Sequence, residues 1–87
     1  MTDMENIRRV ATKCYYRLVQ KETAKLEETN GEHGLKELER LDLYQLFRDK
    51  AYDKYGNGMF FEDFCDLFDS VYREVEEEKR WESLVLC

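Results

Sequence analysis

The chain contains no proline, and its four glycines fall into two close pairs, Gly31 with Gly34 and Gly56 with Gly58. Proline and glycine interrupt a helix more strongly than any other residue. In a sequence of 87 residues the backbone therefore has two natural breaks. Between them lie three uninterrupted segments, each long enough for about five turns of helix or more.

All three segments carry a helical period and not the alternation of a strand. In the first, Met4, Ile7, Ala11, Cys14 and Leu18 recur at three- and four-residue steps, widened by Val10, Tyr15 and Val19, so one amphipathic helix is expected from about Asp3 to Glu28. Asn30 and Gly31 then supply residues that tolerate the left-handed backbone of a helix C-terminus. In the middle segment Leu35, Leu38 and Leu41 lie on one face, but Leu43, Leu46, Phe47 and Ala51 lie on a face rotated away from it. A single straight helix there would be apolar almost all round. Asp42 followed by Gln45 has capping-box spacing, so a break near Asp42 is expected, with a short helix over 35–40 and a longer one over 43–55. In the last segment Phe61, Phe64, Phe68, Val71 and Val75 form a stripe flanked by Phe60, Leu67 and Tyr72, predicting a helix over 60–79. The tail, 81–87, contains Trp81 and Leu84 and is apolar enough to dock on the bundle as a further turn or an extended cap.

Together these segments predict an all-α fold, a single domain over 1–87 built as a small three-to-four-helix bundle. A homodimer in which a second copy supplies a packing helix buries the stripes equally well. A chain this short buries only a little over roughly 60% of its unfolded surface, so the six tyrosines, five phenylalanines and Trp81 must supply much of the core. Charged residues make up 39% of the sequence, no apolar run is long enough to span a bilayer, and no leader pattern precedes the first helix. A soluble cytoplasmic protein with no membrane attachment is expected. Cys14, Cys65 and Cys87 are odd in number and widely spaced, which suits neither a disulfide framework nor a zinc site. Cys14 and Cys65 read as small apolar residues of helix faces.

The net charge of −6 is unevenly distributed. Residues 1–30 hold six basic and five acidic side chains and residues 31–58 five and six, whereas residues 59–87 hold three and nine. Glu62, Asp66, Asp69, Glu76 and Glu77 share the helix face opposite the phenylalanine stripe, interrupted by Arg73, and form an expected anionic ridge. On the first helix Arg9, Lys13 and Arg17 recur every four residues with Tyr16 among them, away from the apolar stripe. Solvated surface with helical ion pairs is the plain reading of both faces; recognition of a partner is the functional one.

Catalysis finds no constellation to work with. His33 is the sole histidine and lies in a glycine-flanked turn, and the two serines, Ser70 and Ser83, have no histidine near them in sequence. Gly-rich phosphate loops, HExxH and CxxC patterns are absent, so neither an enzyme nor a cofactor is expected. The stretch Asp53-Lys54-Tyr55-Gly56-Asn57-Gly58-Met59-Phe60-Phe61-Glu62-Asp63-Phe64 resembles the calcium loop of an EF-hand. It departs where ligation is most demanding: Tyr55 stands at an oxygen-ligand position and Phe64 at the position of the bidentate glutamate. A degenerate, calcium- or ligand-responsive helical module is the alternative this implies, without a bound metal as the sequence stands.

Direct nucleic-acid binding is disfavoured by the negative charge. The expectation that remains is a non-catalytic domain that binds another protein in an inhibitory or regulatory role. The acidic ridge leads the candidates, followed by Arg9, Lys13, Tyr16 and Arg17, then Trp81 and Leu84 of the tail. A row of carboxylates at helical spacing can imitate phosphates in the groove of a basic nucleic-acid-binding protein, as small acidic phage inhibitors of defence enzymes do. A homo-oligomeric assembly, with the basic first helix of one copy on the acidic last helix of another, is the remaining alternative.

Overall fold

A computed structural model describes residues 4–56 and 58–86, with side chains described through Glu82. These residues form three helices, α1 (Met4–Glu28), α2 (Glu37–Tyr55) and α3 (Phe61–Leu86), and no strand occurs among them. The chain is all-helical and no helix is long and apolar enough to cross a membrane.

α1 ends where its sequence dictates. Asn30 and Gly31 both take positive φ, 56° and 82°. The Gly31 N–H donates to the Leu26 carbonyl at 2.7 Å and the Asn30 N–H to the Glu27 carbonyl at 3.4 Å, the paired bonds that close a helix end through a left-handed residue. Thr29 Oγ1 then accepts the His33 N–H at 3.0 Å, which reverses the chain toward α2.

The expected break at Asp42 does not occur. α2 is one helix over Glu37–Tyr55, and its cap lies six residues earlier, where the Glu39 carboxylate accepts the Lys36 backbone N–H at 3.2 Å. The physical reason is compositional. The segment has no glycine, proline or β-branched residue and about half of it is Leu, Lys, Glu or Arg, so propagation costs little and an aspartate–glutamine pair is tolerated mid-helix. With the two expected pieces merged, the described residues form three helices. α3 likewise runs on past Lys79 as continuous helix, so the tail extends the last helix.

The core is made by Ile7 and Ala11 of α1, Ala51 of α2, and Phe64, Phe68, Val71 and Val75 of α3; Cys14 and Leu18 are buried as well. Burying each of Phe64 and Phe68 contributes about 1.5–3 kcal/mol relative to exposure. α1 packs along both other helices, whereas the backbones of α2 and α3 approach each other less. Tyrosines span that gap: Tyr44 meets Phe68 at 5.5 Å and Tyr72 at 5.1 Å between ring centres, and Tyr52 meets Phe61 at 5.1 Å and Phe64 at 5.2 Å.

The result is a thin slab of 45 × 29 × 16 Å with a radius of gyration of 14.3 Å, against about 12 Å for a compact domain of this length. Its accessible surface of 6673 Å² likewise exceeds the roughly 5500 Å² typical of a monomer of this mass. About 1200 Å² more surface is exposed than a compact monomer needs to expose.

Candidate interaction surfaces

The anionic ridge forms on α3 but is partly neutralised within the domain. Asp69 and Glu76 are half-buried. Asp69 pairs with Arg73 at 3.3 Å and accepts the Tyr44 hydroxyl at 3.3 Å, and Glu76 pairs with Arg80 at 3.6 Å. Glu62, Asp66 and Glu77 are exposed and form no ion pair among the described residues. The longest-range pairs hold α1 to α3, where Arg8 binds Glu74 at 3.5 Å and Glu78 in closer contact.

Arg9, Lys13, Tyr16 and Arg17 all lie on exposed positions of α1. Tyr16, 53% exposed, packs edge-on to Tyr15 at 5.7 Å and carries the Lys79 ammonium over its ring at 5.4 Å. Contact with Tyr16, then Glu82 at 3.4 Å, holds the Lys79 ammonium above its ordinary pKa. Lys13, Tyr16 and Arg17 border a shallow depression closed by Phe47 of α2.

The tail departs from expectation, since Trp81 is 63% exposed and does not dock on the bundle. As α3 continues straight through it, the indole is carried on the helix's outer side. The side chain of Leu84, like Cys87, lies outside the described residues.

The turn from α2 to α3 is built by packing. The Tyr52 hydroxyl donates to the Met59 carbonyl at 2.7 Å and the Gly56 N–H to the Tyr52 carbonyl at 2.8 Å. Asp53 on α2 and Glu62 and Asp63 on α3 are exposed, and among the described residues no three His, Cys, Asp or Glu side chains are grouped to hold a metal ion. Arg48 lies against the Phe61 ring at 5.2 Å with its Nε buried and unpartnered.

The buried titratable groups are held in their neutral forms. Burial pushes the Cys14 thiol up to about 12. Burial, and then the Asp69 carboxylate, raise the Tyr44 phenol; burial and then Cys14 raise that of Tyr72. Cys65 is half-buried and also a free thiol.

The surface that the sequence reading passed over is on α2. Leu38, Leu41 and Leu46 are 74%, 47% and 50% exposed. Leu46 faces a groove of about 510 Å³ between α1 and α2. Ala24, Leu35 and Leu43 also line it, with Lys21, Lys25 and Glu28 on the α1 wall and Glu39 and Asp42 on the α2 wall. The signal was present in the two rotated leucine faces, and invoking a break at Asp42 removed it.

Comparison with known proteins adds no relative. The chain matches no protein-family model, no curated protein and no solved structure.

Proposed function

We propose that this chain is a non-catalytic interaction domain that docks another protein through α2, in an inhibitory or regulatory role. The observation that carries the reading is a set of large apolar side chains left open on α2: Leu38, Leu41 and Leu46 are exposed, while the other side of the helix already packs against α1 and α3. Leucines on the rigid helix of a preformed bundle cost little ordering entropy when a partner covers them.

The test compares Leu38→Glu/Leu41→Glu with the parent chain. The variant keeps its helicity and melts within about 3 °C of the parent, since exposed positions carry little folding energy, and it fails to retain the protein that the parent captures from native lysate. A fall in melting temperature well beyond that margin would assign the leucines to the domain's own stability and remove the reading.

Phosphate mimicry by α3 draws narrower support, from Glu62, Asp66 and Glu77 alone. Changing these three to glutamine separates the two surfaces, because an α2-docked partner is retained and a partner held by mimicry is released.

A further inference from the structure

We infer that a second copy of this chain occupies the groove between α1 and α2, groove against groove about a two-fold axis; this rests on the reading of α2 as the docking helix. The groove's two walls differ in charge: Lys21 and Lys25, with Glu28, stand on the α1 side, and Glu39 and Asp42 on the α2 side. These charges do not pair with each other across the groove. Among the described residues Lys21, Lys25 and Asp42 form no ion pair, and the Glu39 carboxylate is engaged only by the Lys36 backbone N–H. Between the walls the lining is apolar, from Ala24, Leu35, Leu43 and Leu46.

A surface of this kind is complementary to itself. α1 and α2 are antiparallel neighbours, so Lys25 and Glu39, and Lys21 and Asp42, lie at matching levels along the groove. A two-fold axis parallel to the groove keeps every residue at its level and exchanges the walls. The lysine wall then lies over the partner's acidic wall, and the leucines of the two copies meet between them. Each pairing occurs twice, as an isologous interface requires. Any other helix seated here would need an acidic flank toward the lysines and a basic flank toward Glu39 and Asp42; the second copy already has both.

The experiment is sedimentation equilibrium of the full chain at low salt, from micromolar to submillimolar concentration. The parent is expected to approach twice its mass of 10.6 kDa. Lys21→Glu/Lys25→Glu makes both walls acidic, and Glu39→Lys/Asp42→Lys makes both mainly basic. Each variant alone is expected to dimerise at least tenfold more weakly than the parent, and the two mixed at equal concentration to recover a heterodimer. Leu46→Asp is expected to remain helical and monomeric. A parent chain that stays monomeric throughout overturns self-docking and leaves α2 free for a different protein. A dimer that persists in all three variants overturns this groove as its seat. A Leu46→Asp chain that loses its helicity shows that the leucine supports the monomer's own fold, which overturns self-docking and the docking role of α2 together.

Discussion

Gly56 is the position where a single added methyl group is expected to cost most. It is buried, with φ −67°, so the residue's backbone freedom is not the issue. A Cβ there would come within 2.6 Å of the Tyr52 carbonyl oxygen and 2.8 and 2.9 Å of two Tyr52 ring carbons. The carbonyl cannot retreat, because it accepts the Gly56 N–H at 2.8 Å as α2 ends. The ring is held by its hydroxyl on the Met59 carbonyl and by its edge contacts with Phe61 and Phe64. Forcing a methyl group into a filled site costs about 1–3 kcal/mol, and losing the hydroxyl bond adds about 1 kcal/mol. Gly56→Ala should therefore destabilise by about 2–4 kcal/mol, against a total stability of roughly 4–13 kcal/mol for a domain of this length. Thermal melting followed by circular dichroism would then show a drop of roughly 10–30 °C. Gly58→Ala is the matched control: its φ is 80° and nothing lies within 4 Å of the added carbon, so only the backbone cost of about 1 kcal/mol applies. Equal melting of Gly56→Ala and the parent, or a larger loss at Gly58, would refute the steric account of this turn.

Four further outcomes follow from the packing and charge. Phe68→Ala should cost about 3–5 kcal/mol in urea unfolding, while Arg8→Ala should cost under about 1 kcal/mol despite bridging Glu74 and Glu78, because those pairs are exposed. Stability should be level from pH 7 to about pH 9 and fall above it: Cys14, Tyr44 and Tyr72 hold their protons more tightly folded than at their ordinary values of 9.0, 10.0 and 10.0. Alkali therefore ionises the unfolded chain first and favours it, and a melting temperature that rises above pH 9 would contradict the burial of these groups. Millimolar calcium should leave the melting temperature unchanged within about 1 °C, since a ligand stabilises only a fold that binds it; a clear rise would restore the EF-hand resemblance of residues 53–64 as a working site.

The parts of this fold that were legible in the sequence are those where one signal acts alone. The stripe from Ile7 to Leu18 and the one from Phe64 to Val75 have a single period and a single face, and both helices form there. Asn30 and Gly31 cap α1 because few other residues adopt that backbone without strain. In α2 two signals competed. Its leucines point in different directions, and the spacing of Asp42 and Gln45 offered a way to reconcile them by breaking the chain. The continuous helix leaves Leu38, Leu41 and Leu46 exposed in place of breaking the chain. The charge pattern was legible residue by residue, as were the pairs of Asp69 with Arg73 and Glu76 with Arg80 at i,i+4 spacing, but only the folded arrangement brings Tyr44 onto Asp69 and Arg8 onto Glu74 and Glu78. Trp81 was expected on the bundle from its chemistry alone, while its direction depends on how far α3 continues.

The placement of α1 at the centre of the slab also has a consequence for the order of events at the ribosome. Ile7 and Ala11 find their core neighbours mainly in Phe64, Phe68, Val71 and Val75, about sixty residues later in the chain. At translation rates of 5–20 residues per second, the apolar stripe of α1 spends roughly 3–12 s exposed before those neighbours have been made. During that interval α2 is completed and can pack along α1 as it does in the finished fold, but the part of the α1 stripe that α3 covers stays open, the kind of surface that chaperones hold. Closing the slab then waits on α3 folding back onto α1.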